Sequence, residues 1–350
     1  MSALQRTIVK NMKKYIYLVL RLVISLSAVF LLFWVMRGKI KDVVQTIKTA
    51  DLFLTTICFL FGIILISILG VRLKIILSIQ KAEIPLKRVI ALSYIGIFFN
   101  NFMPSAVGGD VIKAYYISKQ THKKMEAFTS VFVDRLMGLV TLIFVTTVVL
   151  LVWGRSLGSP IIVKSLLALV GGSAVFIIFL ANKNIARKFA FILIPLRRFG
   201  LDEKIKNIYR AVNSYAQYRR QMLYCILVSL FTQTSGMIIV YILAKALYAP
   251  IPFKIVMVVF SLTSAASILP SINGLGVREG TFVFFLKDII GADKALALSI
   301  LFLGMLIVNS IVGGFVFLTK EHFKIKEIQH DMLASQQEAD EVEREEFADA

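Results

Sequence analysis

The sequence predicts an all-α polytopic membrane protein of about eight membrane helices, including two re-entrant or broken hairpins in inverted-topology arrangement. Three observations lead there. Of 350 residues, 58% are hydrophobic, above the roughly 45–50% of soluble domains. Several apolar runs reach the roughly 20 residues needed to cross a bilayer core. The basic residues behind a net charge of +19 fall in short loops between those runs, the positive-inside pattern.

The elements follow in order. The run Tyr15–Met36 comes after Arg6, Lys10, Lys13 and Lys14, as in a signal peptide. It is too long for one, and "MRGKIK" follows where a small-residue cleavage site would stand, so it reads as a retained first span with a cytoplasmic N-terminus. Further spans read at 52–71, 88–103, 128–152, 163–181, 221–247, 253–270 and 295–318. Two shorter apolar pieces, 108–118 and 277–290, each follow a glycine-rich break. Together these make one membrane domain over 1–320.

Charge orients the spans. The segment Ala181–Gln221 carries ten lysines and arginines against Asp202 and Glu203. It is assigned to the cytoplasm, as are the basic loop Arg72–Arg88 and the loop holding Lys119, Lys123 and Lys124. The stretch "LYAPIPF" has no charge before Lys254 and lies outside. Within 182–220, Leu201, Ile205, Ile208, Val212 and Tyr215 recur at helical spacing. They suit an amphipathic helix on the inner leaflet, or a cap packed on the cytoplasmic ends of the spans. Residues 321–350 turn acidic and apolar-poor, the composition of a disordered cytoplasmic tail. The expected location is the inner (plasma) membrane, multi-pass, with both termini cytoplasmic.

Several function classes drop out. The basic residues form no patch on a soluble module, so nucleic acid is not the expected partner; anionic lipid headgroups at the cytoplasmic face are. Cys58 and Cys225 lie inside apolar runs and read as small buried hydrophobes. His122, His322 and His330 have no ligand spacing, so no metal, cofactor or disulfide is expected. Without a Walker motif, direct use of ATP is not expected.

With the Lys119–Lys124 loop inside, 88–118 must leave the cytoplasm and return to it, a hairpin broken at "NFMPSAVGGD". Non-helical backbone at membrane depth survives only where protein or a water-filled cavity covers it. A second break reads "SILPSINGLGVREGTFVFF". Pro104, Ser105, Gly108 and Val111 match Pro270, Ser271, Gly274 and Val277 at one constant offset. Three full spans lie between the hairpins, so the second enters from the opposite side, the inverted pairing that places transporter sites near the midplane.

Such tips have usable chemistry. A helix that starts at depth exposes N–H groups without intrahelical partners, and its dipole draws an anion. Proline ends the preceding helix, while Gly108-Gly109 and Asn273-Gly274 allow close approach and positive φ. Asp110 and Lys113 follow the first break, Arg278 and Glu279 the second, and Asp134-Arg135 lie within the next span. Ionisable groups at such depth face the interior and pair. Arg278 is the first choice for holding an anionic group. Lys113 is read as snorkelling to the cytoplasmic surface, or as one of the ionisable groups clustered at the break. Asp134-Arg135 read as a site pair or as a structural pair in the bundle. Asp110 and Glu279 are headgroup ligands or complements to the helix dipole.

The stretches "NNFMPSAVGGDVIKAYYI", "SVFVDRLMGL" and "LPSINGLGVREGTF" resemble the transmembrane domain of lysylphosphatidylglycerol synthases and their stand-alone flippase-like relatives, over about residues 10–320. The motif positions are Asn101, Pro104, Gly108, Gly109, Asp110, Asp134, Arg135, Pro270, Gly274, Gly276, Arg278, Glu279 and Gly280. The resemblance implies a helical bundle with re-entrant hairpins that moves a phospholipid or a polyisoprenyl-phosphate-linked lipid between leaflets. The bifunctional synthases carry a soluble aminoacyl-transfer domain where this sequence has a short acidic tail, so that transfer activity is not expected of it. The expected function is therefore a flippase or scramblase. The alternatives are a membrane-embedded lipid-phosphate transferase, an accessory subunit of a glycosyl- or aminoacyl-transferase, and an ion-coupled solute transporter.

Overall fold

The computed structural model describes residues 40–102, 108–154, 160–181, 215, 217–267 and 274–319. The first span, Pro104, Pro270, Asn273, most of 182–220 and the acidic tail lie outside them. Among the described residues there are ten α-helices and no strand. They are α1 (Ile40–Lys48), α2 (Leu52–Ile79), α3 (Leu86–Phe102), α4 (Gly108–Thr121) and α5 (Lys124–Trp153). Then come α6 (Pro160–Ala181), α7 (Arg219–Ala246), α8 (Phe253–Ala266), α9 (Val277–Ile290) and α10 (Ala292–Thr319).

Each described apolar piece from the sequence is a helix, with two corrections. The basic "loop" at Arg72 is helix: α2 continues to Ile79, because Leu73, Ile76 and Leu77 keep an apolar face buried beyond the arginine. The short helix α1, which the apolar pattern does not predict, packs on α10.

Four helices, α2, α5, α7 and α10, are long and apolar enough to cross a membrane. Their outward faces are apolar at helical spacing: Phe53, Ile57, Leu60 and Ile64 on α2, and Ile307, Ile311, Phe315 and Leu318 on α10. Water-exposed stripes of that kind would be an aggregation hazard; facing lipid they are the solvated surface. The arms α4, α8 and α9 have 14 residues each, about 21 Å at 1.5 Å per residue, too short for a core of about 30 Å.

The two hairpins, α3–α4 and α8–α9, pack on opposite ends of the long helices. Around the first are Leu73 and Leu77 of late α2, Ala127 and Val131 of early α5, and Phe317 of late α10. Around the second are Cys58 of early α2, Val145 and Val149 of late α5, and Ala295–Leu298 of early α10. Described residues flanking both breaks nonetheless lie beside the middle of α10. Near the first tip, Asn101 Nδ2 donates to Leu306 O at 3.2 Å and to Ser310 Oγ. Near the second, the Arg278 guanidinium lies 5.9 Å from the Phe302 ring centroid.

The two halves share one plan. Helices α2 and α7 both have 28 residues and lie against each other. Cys58, seventh in α2, lies 3.8 Å from the carbonyl of Ile239, twenty-first in α7. Arg72, twenty-first in α2, reaches Ser229, one turn beyond Cys225, which is seventh in α7. Both helices end in the same Schellman turn. Ala82 N–H bonds Leu77 O and Ala249 N–H bonds Ala244 O, each at 3.0 Å, with Lys81 and Tyr248 in left-handed backbone at φ 51°. After each turn the sequence repeats as A-x-I-P-x-K-x-V, at Ala82–Val89 and Ala249–Val256. Packing pairs exchange likewise: α2–α3 with α7–α8, α4–α5 with α9–α10, and α3–α10 with α8–α5.

Candidate functional site

At the first break the two arms of the hairpin touch backbone to backbone. A Cβ on Gly109 would stand 1.8 Å from Gly96 O, so close approach is what requires glycine there. The backbone at Gly108 and Gly109 is not at positive φ, contrary to one role expected of that pair. The Gly109 N–H, one of the orphan donors opening α4, bonds Asn100 Oδ1 at 2.8 Å.

Asp110 follows in the first turn of α4 and is 5% exposed. Its carboxylate accepts from two cations. Lys113 Nζ lies 2.8 Å from Oδ1, and Arg135 Nε of α5 donates to Oδ2. The sequence pattern alone has Lys113 snorkelling outward. Instead its stem lies against Gly96 and its ammonium turns inward to Asp110, because the missing side chain at Gly96 leaves it a channel. The Arg135 side chain keeps 44% exposure, against 7% for Asp110.

Asp134 and Arg135 are neighbours in sequence and part company in space, as successive helical residues must. Asp134 faces α2, where Arg72 Nε lies 2.7 Å from its Oδ1, both side chains buried. Arg72 Nη1 donates to Ser229 Oγ at 2.9 Å, and that hydroxyl donates to Cys225 O at 2.7 Å. One ion pair thus ties α2, α5 and α7, each of its charges satisfied as burial demands. The two readings of Asp134-Arg135, site pair or structural pair, divide between them: Asp134 is held inside, and Arg135 faces the hairpin. The roles of Arg72 and Ser229 are not among the sequence expectations. A signal for them exists, since the apolar run continues through Arg72 to Ile79 and an arginine inside a run needs a partner.

The second break is closed on itself. Gly274 and Gly276 do adopt positive φ, at 77° and 82°. Glu279 Oε2 accepts from the Gly276 N–H at 2.6 Å, one arm of a capping box. Its Oε1 accepts from Arg278 Nε at 3.1 Å and Nη2 at 2.9 Å. Arg278 and Glu279 are each 4% exposed. Arg278, the first choice from sequence, is therefore sealed between its own neighbour and Phe302.

The two pairs sit at similar places in their helices, although at the constant offset of the breaks Asp110 stands opposite Gly276 and Arg278 opposite Ile112. Asp110 is third in α4 and meets Arg135, twelfth in α5; Arg278 is second in α9 and meets Phe302, eleventh in α10. What differs is the chemistry. The first tip presents a half-exposed guanidinium beside a buried carboxylate, in a fork geometry suited to phosphate.

Comparison with known proteins finds membrane proteins. The family model described as "Lysylphosphatidylglycerol synthase TM region" matches residues 18–313. The chain is similar to a UPF0104 membrane protein of Pyrococcus horikoshii, 25% identical over 338 residues, covering 88% of this chain and 97% of that one. It is also similar to a UPF0104 membrane protein of Methanothermobacter thermautotrophicus, 24% identical over 283 residues, covering 74% and 81% respectively.

Proposed function

The chain belongs to the lysylphosphatidylglycerol synthase TM-region family of membrane proteins, and from that membership we propose that it is a lipid flippase or scramblase of the inner membrane. Its cargo would be a phospholipid or a polyisoprenyl-phosphate-linked lipid. About eight membrane helices, counting the first span at 15–36, would include α3–α4 and α8–α9 as re-entrant hairpins entering from opposite faces. Arms of about 21 Å, break-flanking residues Asn101 and Arg278 beside the middle of α10, and hairpins packed at opposite ends of the long helices support that topology. The end bearing the α2–α3 and α4–α5 loops would be cytoplasmic, together with both termini.

The observation that carries the function is the cluster Asp110, Lys113 and Arg135 at the first tip. Charge placed this deep is expensive, costing about 2.5–3.5 kcal/mol per group on insertion scales, so it needs a reason beyond packing. A lipid phosphate would meet Arg135 and opening N–H groups of α4 other than that of Gly109 while its acyl or prenyl chains stay in the bilayer. Asp110 and Glu279 would balance charge or meet a cationic headgroup, Asp134 would balance charge from within its pair with Arg72, and Arg278 would be a further phosphate ligand. The Asn101, Gly108, Gly109, Gly274 and Gly276 positions, with Pro104, Pro270 and Asn273, would shape the breaks.

The test is reconstitution in liposomes with a panel of fluorescent lipids differing only in headgroup. Headgroup-dependent translocation that fails with Arg135→Gln is expected. Translocation blind to headgroup, or none, would refute the reading. Conversion of a labelled lipid donor into product by the purified chain would favour the transferase instead.

A further inference from the structure

One end of the bundle is far more basic than the other. Around the α2–α3 loop, the α4–α5 loop and the start of α7, the described residues include nine lysines and arginines and two carboxylates, Glu83 and Glu126. At the opposite end the described residues include seven basic and four acidic side chains. The basic elements form a continuous collar. Lys123 Nζ bonds Lys81 O at 3.3 Å, joining the two loops. Tyr215, packed against Ile76, Ile79 and Val133 and bonded to Ser130 Oγ at 3.0 Å, seats the start of α7 beside them. Lys87, Lys124, Arg219 and Arg220 are exposed on it.

Helix α10 ends at this same collar. It runs antiparallel to α3, with Asn101 against Leu306 and Ser310. Further along, a Cβ on Gly313 would stand 2.2 Å from Tyr94 O. Thr319 therefore lies toward the Lys87-Arg88 end of α3. Beyond it the sequence reaches Gln337–Ala350, with seven carboxylates and one arginine. The chain between Thr319 and Gln337 spans up to about 60 Å extended, at about 3.3–3.6 Å per residue, ample to reach any part of the collar.

We propose that the acidic segment 337–350 docks on this basic collar, screening it from other anions. The chemistry is charge complementarity of an acidic peptide with a lysine- and arginine-rich surface, strengthened by tethering. An intramolecular segment acts at an effective concentration on the order of millimolar. Release from the collar also has a cost for an acidic chain beside an anionic leaflet, since the surface potential that attracts the collar repels the segment. The inference stands apart from the transport reading, because it needs no lipid to move.

The test uses a synthetic peptide of residues 337–350 and the full chain in nanodiscs of neutral phosphatidylcholine. In the wild type the collar is occupied. In a variant carrying Glu338→Gln, Glu341→Gln, Glu345→Gln and Glu346→Gln it is vacated. The peptide is expected to bind that variant at least about tenfold more tightly than the wild type, because the tethered competitor has been removed. The binding should weaken as salt rises from about 50 mM to about 500 mM. Adding Lys87→Glu, Lys124→Glu and Arg219→Glu should abolish it in protein that elutes and melts as the parent does. Equal binding to wild type and neutralised variant, or binding that survives reversal of the collar, would overturn the proposal. So would a collar that takes no peptide and captures only phosphatidylglycerol vesicles, which would make it a lipid-facing surface.

Discussion

At the first break one carboxylate, Asp110, is shared by Lys113 and Arg135, whereas at the second one guanidinium, Arg278, is closed onto Glu279 and stacked near Phe302. The two breaks occupy corresponding places in a repeated plan, yet glycine serves close approach in one and positive φ in the other. Duplicated geometry has thus been given two chemistries. The second tip is a self-satisfied clasp whose charges are buried and spoken for. The first keeps a half-exposed guanidinium, Arg135, beside the buried Asp110.

The contrast can be broken from the largest effect downward. Arg278→Ala leaves Glu279 buried without its cation, and breaking such a pair costs about 3–5 kcal/mol. A loss of that size in denaturant titration of the purified protein is expected, and a wild-type midpoint would show that the clasp carries no stability. Gly109→Ala drives a Cβ into Gly96 O, and overpacking of this kind costs about 1–3 kcal/mol or more. The hairpin arms must separate, so the melting temperature should fall and cross-linking between cysteines placed on α3 and α4 should drop. Gly274→Ala places a side chain at φ 77° and close to Ser267, a left-handed penalty of about 1–2 kcal/mol. It should be the milder of the two glycine changes; the reverse order would mean that positive φ, not close approach, dominates the breaks.

Much of this architecture is legible in the sequence, and the misses have physical causes. Apolar run length and the P-S-x-x-G-x-x-V repeat locate the helices and both breaks, because bilayer thickness and backbone sterics act locally. Arg72 reads as loop because a charge normally ends a span; only its distant partners, Asp134 on α5 and Ser229 on α7, explain its burial. The Asp110–Arg135 pair is likewise beyond sequence, since it depends on how α4 leans on α5. Snorkelling fails for Lys113 because it assumes nothing better within reach, and Gly96 opens the way to Asp110. The A-x-I-P-x-K-x-V match at Ala82 and Ala249 is a second sequence signal of the duplication, and it independently supports the repeat that the two breaks suggest.

The most direct measurement compares Arg135→Gln with wild type in liposomes, scoring headgroup-dependent translocation and thermal stability on the same preparations. Because the Arg135 side chain is 44% exposed and Asp110 keeps Lys113 at 2.8 Å, its loss should cost less stability than Arg278→Ala does. A folded protein is expected, melting close to wild type, in which translocation of the preferred lipid is lost. An Arg135→Gln protein that moves that lipid at the wild-type rate would contradict the transport reading.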